Sequence, residues 1–139
     1  MRIQFGLLLA MILFLAGCSD HVGLSGKVTF SDTGEPVPLG EIIFSTPTFM
    51  SRATIKPDGT FVVGTYKEDD GLPPDTYDVM ITSMPPGEVQ SEEGKSLIDL
   101  KYADRQTSGL KVEVDASTKK MDFVVDRPKN GTPDQNQPL

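Results

Sequence analysis

Beyond residue 22 the chain is written as short runs of β-branched and aromatic residues broken by Gly, Pro and Asp. No window of eleven or more residues carries apolar side chains at helical spacing, which predicts an all-β domain. Seven strands are expected, at residues 24–30, 40–46, 52–56, 60–66, 76–83, 110–114 and 120–126. Leu24, Gly26, Val28 and Phe30 share one face of the first, as do Tyr77, Val79 and Ile81 in the fifth and Leu110, Val112 and Val114 in the sixth. Period two turns each of these sets inward and leaves its neighbours in water. Ile42-Ile43-Phe44 and Phe61-Val62-Val63 are unbroken apolar runs instead, as expected of central strands, and are predicted to be the most buried segments.

The connections carry turn chemistry in Asp32-Thr33-Gly34 and Pro57-Asp58-Gly59, while Pro36, Pro38, Pro73 and Pro74 lie outside the strands, where a missing donor does no harm. Residues 84–108 form the longest irregular stretch, either an organised loop, a binding loop or a partly disordered one. Leu97, Ile98, Leu100 and Tyr102 predict that its second half packs back onto the domain. Residues 127–139 (RPKNGTPDQNQPL) have too few apolar side chains to offset their ordering entropy and are expected to form a disordered tail.

At the other end, Arg2 precedes an uninterrupted apolar run of 11 residues, 5–15 (FGLLLAMILFL). A bilayer-spanning helix needs about 20 such residues and an export signal about 7 to 15, so the run is expected to be an export signal. It ends in Leu15-Ala16-Gly17-Cys18, which resembles the lipobox of bacterial lipoproteins: an aliphatic residue, two small ones, then the Cys that is modified. The resemblance implies diacylglyceryl transfer to the Cys18 thiol, cleavage before Cys18 and acylation of the new amine, and two or three acyl chains such as palmitate make a stable anchor. Ser19 stands where an Asp often signals inner-membrane retention, and Asp20 comes one place too late. An outer-membrane destination is therefore favoured, with the domain in the periplasm or at the cell surface. The expected organisation is a signal peptide at 1–17, a lipidated tether at 18–23, a sandwich domain at 24–126 and a tail at 127–139.

Charge narrows the partners. The chain has 13 Lys and Arg against 20 Asp and Glu, a net charge of -7, and loss of the signal removes Arg2 alone among them, leaving -8. Such a field repels phosphates, so no nucleic-acid partner is expected. Cys18 is the only cysteine, so stability is expected from packing and not from a disulfide. His21 is the only histidine and sits on the tether, which places His-based catalysis and zinc chemistry outside the domain. No enzymatic role, cofactor or metal is expected. Glu68, Asp69 and Asp70 are the densest acidic cluster and carry the hard oxygens that calcium prefers, but their spacing is not that of an EF-hand. They are expected to form a solvated turn, with calcium binding left open.

Sugar recognition normally rests on exposed aromatic platforms, and with no Trp in the chain the candidate contacts are Phe49, Tyr66 and Tyr102. Phe49-Met50 sits in the loop between the second and third strands, either as an exposed contact or as a lid over the sandwich end.

The succession Gly26-Lys27-Val28-Thr29-Phe30, Glu35-Pro36-Val37-Pro38, Gly40-Glu41-Ile42-Ile43-Phe44 and Pro57-Asp58-Gly59-Thr60-Phe61 resembles the carboxypeptidase regulatory-like, or transthyretin-like, domain. Leu72-Pro73-Pro74-Asp75-Thr76-Tyr77 is similar to that family's motif at the start of a strand, with Asp75 where Gly is usual. Lys101-Tyr102-Ala103-Asp104 and Thr107-Ser108-Gly109-Leu110 resemble a segment of its small bacterial lipoproteins. The likeness covers residues 23–126 and implies a seven-stranded Greek-key β-sandwich of prealbumin type, used as an accessory module and not as a peptidase. Two functions follow as expectations. The first is a membrane-anchored, non-catalytic envelope lipoprotein acting as a structural or protein-interaction module, its partners the membrane, through lipid at Cys18, and an envelope protein. The alternative is a lipoprotein that binds a glycan or small ligand through Phe49, Tyr66 and Tyr102.

Overall fold

A computed structural model describes residues 21–65, 70–84 and 96–129. Within them lie seven strands, β1 (Ser25–Phe30), β2 (Gly40–Ser45), β3 (Met50–Ile55), β4 (Thr60–Val62), β5 (Asp75–Thr82), β6 (Leu110–Val114) and β7 (Phe123–Val125). They form two sheets, ordered β4-β1-β7 and β3-β2-β5-β6, so the chain is an all-β sandwich as its alternation predicts. The expected export signal, Cys18, Tyr66, Glu68 and Asp69 lie outside the described residues. Among those described, no helix is long and apolar enough to cross a membrane.

Every strand pairing is antiparallel except that of β1 with β7, which run parallel with Val28 opposite Phe123 and Phe30 opposite Val125. The sandwich therefore has a direction. The chain enters at one end, the base, with Val22, and β7 leaves at the other end, the top, with Asp126 and Arg127. The base also carries the corner at Leu72, Pro73 and Pro74 and the turn at 115–120. The top carries the turns at 31–38 and 56–59 and a 3-10 helix, Leu100–Ala103.

Two inner faces meet in a core of Val28, Phe30, Ile42, Phe44, Phe61, Tyr77, Val79, Ile81, Phe123 and Val125, all buried. Phe44 sits at its centre, its ring centroid 6.3 Å from those of Phe61, Tyr77 and Phe123, with tilted and edge-on contacts that suit the aromatic quadrupole. The two unbroken apolar runs also obey period two. Ile42 and Phe44 are buried while Ile43, between Arg52 and Met80 on the outer face, is only half covered. Phe61 and Val63 are buried and Val62 is half covered.

Strand ends differ from expectation where side chains or close approaches intervene. β3 begins at Met50, two residues early, and β4 stops at Val62 because the chain at Gly64 swings towards β3, where Ser51 Oγ donates to the Gly64 carbonyl at 2.7 Å. β7 begins at Phe123 and not at residue 120, although Met121 N still donates to the Ser25 carbonyl at 2.9 Å. Gly26 makes that approach feasible: a Cβ there would lie 1.8 Å from the Met121 carbonyl oxygen. Its alternation with Leu24 and Val28 thus marks an inward position filled by backbone.

The domain also starts earlier than the boundary at 24. Val22 and Leu72 exchange two backbone hydrogen bonds, of 2.6 and 3.0 Å, which makes Val22 and Gly23 part of the sandwich and not of a free tether. Gly71 closes this corner with φ of 79°, and a Cβ on it would meet the Val22 carbonyl oxygen at 2.0 Å. The left-handed position is Gly71, whereas Asp75 opens β5 opposite Val114 and accepts from Thr76 N. Two residues on, the Tyr77 hydroxyl donates back to the Pro73 carbonyl at 2.7 Å, the tyrosine corner seen in sandwich domains.

The second half of the long loop packs back, as its apolar residues predict. Ile98 and Tyr102 are buried and Leu97 lies against the core. Leu97 N donates to the Ser83 carbonyl at 2.8 Å, and the buried Ser96 hydroxyl donates to the Ile98 carbonyl at 2.6 Å.

Candidate functional site

The best-defined polar cluster among the described residues is built around Asp126, where β7 ends at the top. Its Oδ1 accepts from Ser31 Oγ at 2.7 Å, and its Oδ2 from Lys101 Nζ at 2.6 Å and from the Tyr102 hydroxyl at 3.1 Å. The backbone joins in: Asp99 N donates to the Asp126 carbonyl at 2.9 Å, and Asp126 N donates to the Tyr102 hydroxyl oxygen at 3.2 Å. Three elements distant in sequence are thereby clamped, the end of β1, the end of β7 and the 3-10 helix. Lys101, Ser31 and Tyr102, in that order, hold the Asp126 carboxyl down to about 2, while Asp126 raises the Lys101 ammonium above its ordinary value. A carboxylate so strongly stabilised as the anion is a poor proton acceptor near neutrality. The chemistry of the cluster is that of a structural clamp.

Arg127 follows directly and carries the clamp to the surface. Its guanidinium carbon stacks 3.7 Å from the Phe30 ring centroid, and the same group reaches Asp32 at 2.9 Å and Glu35 at 3.5 Å. A planar cation over a ring with two carboxylates at its edge uses both the flat face and the forked donors of arginine. The expectation that the tail is unstructured from residue 127 is corrected here: Arg127 belongs to the domain. Hydropathy sees only a polar residue, whereas the stack on Phe30 depends on a side chain almost a hundred positions away.

Beside this stack runs a shallow groove of about 380 Å³, walled by Phe30, Pro36, Pro38, Pro57 and Leu97 and edged by Glu35 and Arg127. Its prolines come from the turns at 31–38 and 56–59. The latter turn is closed by Gly59 N to the Lys56 carbonyl at 2.8 Å and by Asp58, which accepts from the Thr60 hydroxyl at 2.6 Å and from Thr60 N at 3.0 Å. Those two Thr60 contacts lower the Asp58 pKa. Proline side chains on rigid turns give a wall that loses little entropy when something packs on it.

Of the three aromatic candidates, Phe49 and Tyr102 are described, and they lie at opposite ends of the sandwich. Phe49 is half-buried at the base, its ring 6.1 Å from that of Tyr77, in the position of a lid over the sandwich end. Tyr102 is at the top, 5% exposed, with its hydroxyl engaged by Asp126 and the Lys101 ammonium 4.8 Å from its ring centroid. Tyr66 is outside the described residues, as are Glu68 and Asp69 of the acidic cluster. Asp70 is described, and its carboxylate accepts from Thr65 N within the loop. Among the described residues no group of three His, Cys, Asp or Glu is placed to hold a metal ion.

No protein-family model matches the chain. No curated protein matches it either. Among solved structures it is similar to a DUF3823 family protein from Bacteroides ovatus, at 14% identity over 77% of this chain and 45% of that one, with a TM-score of 0.42. It is also similar to the major pilin subunit of Bacillus cereus, at 6% identity over 78% of this chain and 30% of that one, with a TM-score of 0.41. The chain thus spans less than half the length of either structure.

Proposed function

We propose that this chain is a membrane-anchored, non-catalytic envelope lipoprotein whose sandwich serves as a protein-interaction module. One observation carries the reading: the parallel pairing of β1 with β7 puts the chain's entry, four residues from Cys18, at the base and the Phe30, Pro36 and Pro57 groove at the top. A lipid on Cys18 leaves the groove directed away from the membrane, where an extended apolar segment of an envelope protein meets rigid proline walls and a polar rim. The order β4-β1-β7 over β3-β2-β5-β6, with crossings between sheets from β1 to β2, β3 to β4, β4 to β5 and β6 to β7, supports a Greek-key sandwich of prealbumin type and a place among carboxypeptidase regulatory-like domains. Ser19 supports sorting to the outer membrane.

Mass spectrometry of the mature protein tests the anchor, and a photoreactive residue at Pro57, compared with one at Ala116, tests the groove in the native envelope. The expected result is a diacylated Cys18 and one stoichiometric protein crosslinked from position 57 only. Crosslinks to glycan fragments would turn the reading towards a ligand-binding lipoprotein, and equal crosslinking from both positions would remove the groove from it.

A further inference from the structure

We infer that the base of the sandwich lies against the lipid headgroups, so that the membrane is a contact surface of the folded domain as well as the site of its anchor. The inference rests on the reading that Cys18 carries the lipid. It comes from the place of Val22 in the fold. Val22 is already fixed by its two hydrogen bonds to Leu72, and Gly71 and Gly26 hold the backbone around it too closely for this end to fray at little cost. Only Ser19, Asp20 and His21 separate Val22 from Cys18.

A fully extended chain spans at most about 3.6 Å per residue, so Val22 lies within about 14 Å of the Cys18 backbone. The polar layer on each side of a bilayer is itself roughly 5 to 8 Å thick. Lipid-bound Cys18 sits at the inner boundary of that layer, and the remaining reach is less than the roughly 20 Å length of a six-residue strand such as β1. The domain can neither lie far from the surface nor turn its top towards it, because β1 leads straight away from the tether.

What this end presents suits such a position. His21, Val22, Pro73, Pro74, Ala116 and Lys119 line an open depression of about 930 Å³. Lys119 and Lys120 are exposed on the same turn, with Lys120 reaching Asp122 at 3.6 Å. Asp70, Asp75, Asp115 and Asp122 also belong to this end, and the Asp115 carboxylate is occupied by the Ser117 and Thr118 hydroxyls. Positive and negative groups are mixed, so the tether, and not net charge, holds the base to the lipid.

The test uses the lipidated protein in vesicles of phosphatidylethanolamine and phosphatidylglycerol. Cys18 is consumed by lipid, so Ala116→Cys at the base and Thr33→Cys at the top each supply one labelling site for a fluorophore. Nitroxide-headgroup lipid is expected to quench the label at position 116 several-fold more than the label at 33, in variants with matched melting temperatures. Equal quenching on a protein whose Cys18 lipid is confirmed by mass overturns the orientation alone, whereas a mature chain without lipid overturns the lipoprotein reading with it. A flexible Gly/Ser linker of about 20 residues placed between Asp20 and His21 lengthens the reach several-fold. It is expected to abolish the difference, and undiminished quenching at 116 would overturn the role of the short tether.

Discussion

Tyr77 donates its hydroxyl proton to the Pro73 carbonyl, four residues earlier, at 2.7 Å, while its ring lies under Phe49 and against Phe44. One side chain thereby ties the corner before β5 to the core beneath it. The polar end of a buried phenol needs this partner, because without it the hydroxyl would lose its water and gain nothing in return.

Tyr77→Phe keeps the ring and removes the bond. Unfolding in urea is expected to show a loss of about 1 kcal/mol with an unchanged slope. Burial, and secondarily the Asp75 carboxylate, pushes the Tyr77 phenol up to about 12 from 10.0. The folded state therefore keeps a proton that the unfolded chain has released, and stability falls as pH rises from 10 towards 12. Tyr77→Phe should show a shallower fall over the same window, and an identical fall in both proteins would detach it from Tyr77.

Gly71→Ala places a Cβ at positive φ and 2.0 Å from the Val22 carbonyl oxygen. The expected cost is about 2 kcal/mol or more. Hydrogen exchange at the Val22 amide should rise further than at the Val79 amide, because the corner opens before the sheet does. Uniform exchange at the two amides would mean that the corner and the sheet open together.

Asp126→Asn tests the clamp at the top. The carboxyl of Asp126 is held down to about 2 from 3.8, so its stabilising contribution is in place above 3.8 and is lost as pH falls towards 2. Urea midpoints of the wild-type and Asn proteins should differ at neutral pH and converge on acidification. A gap independent of pH would show that the charge on Asp126 is not what holds Lys101 and Tyr102.

Arg127→Lys preserves charge but neither the flat stack on Phe30 nor the forked contact with Asp32 and Glu35. Arg127→Ala and Arg127→Lys are both expected to lower stability by about 0.5 to 1 kcal/mol, a half-exposed site setting the scale. Full retention of the melting temperature in the Lys variant would reduce the contact to simple charge.

The two sheets were legible because period-two burial leaves a mark on every strand: Val28 and Phe30, Ile42 and Phe44, Tyr77 to Ile81. The packing of Ile98 and Tyr102 was legible for the same reason, as apolar residues in a loop have few other places to go. What was hidden is non-local. Nothing near Arg127 announces a ring at Phe30, and nothing near Lys101 announces Asp126, since these pairings exist only once the chain has closed on itself. Tyr102 illustrates the limit of composition: an aromatic beside a lysine and an alanine suits an exposed contact or a core residue equally, and the hydroxyl's partner at Asp126 decides between them. Val22 was hidden by its neighbours, because two backbone hydrogen bonds to Leu72 have no side-chain signature.

The parallel pairing of β1 with β7 also sets how the domain answers force. Tension between the N-terminal end at the base and the C-terminal end at the top pulls β1 one way and β7 the other, along their common axis. The hydrogen bonds linking Val28, Thr29 and Phe30 to Phe123, Val124 and Val125 then lie across the pull and share it in shear, where an antiparallel hairpin pulled at its open end would lose its bonds singly, in succession. If lipid holds the base, as proposed above, a pull on the chain beyond Asp126 loads β1 against β7 in shear.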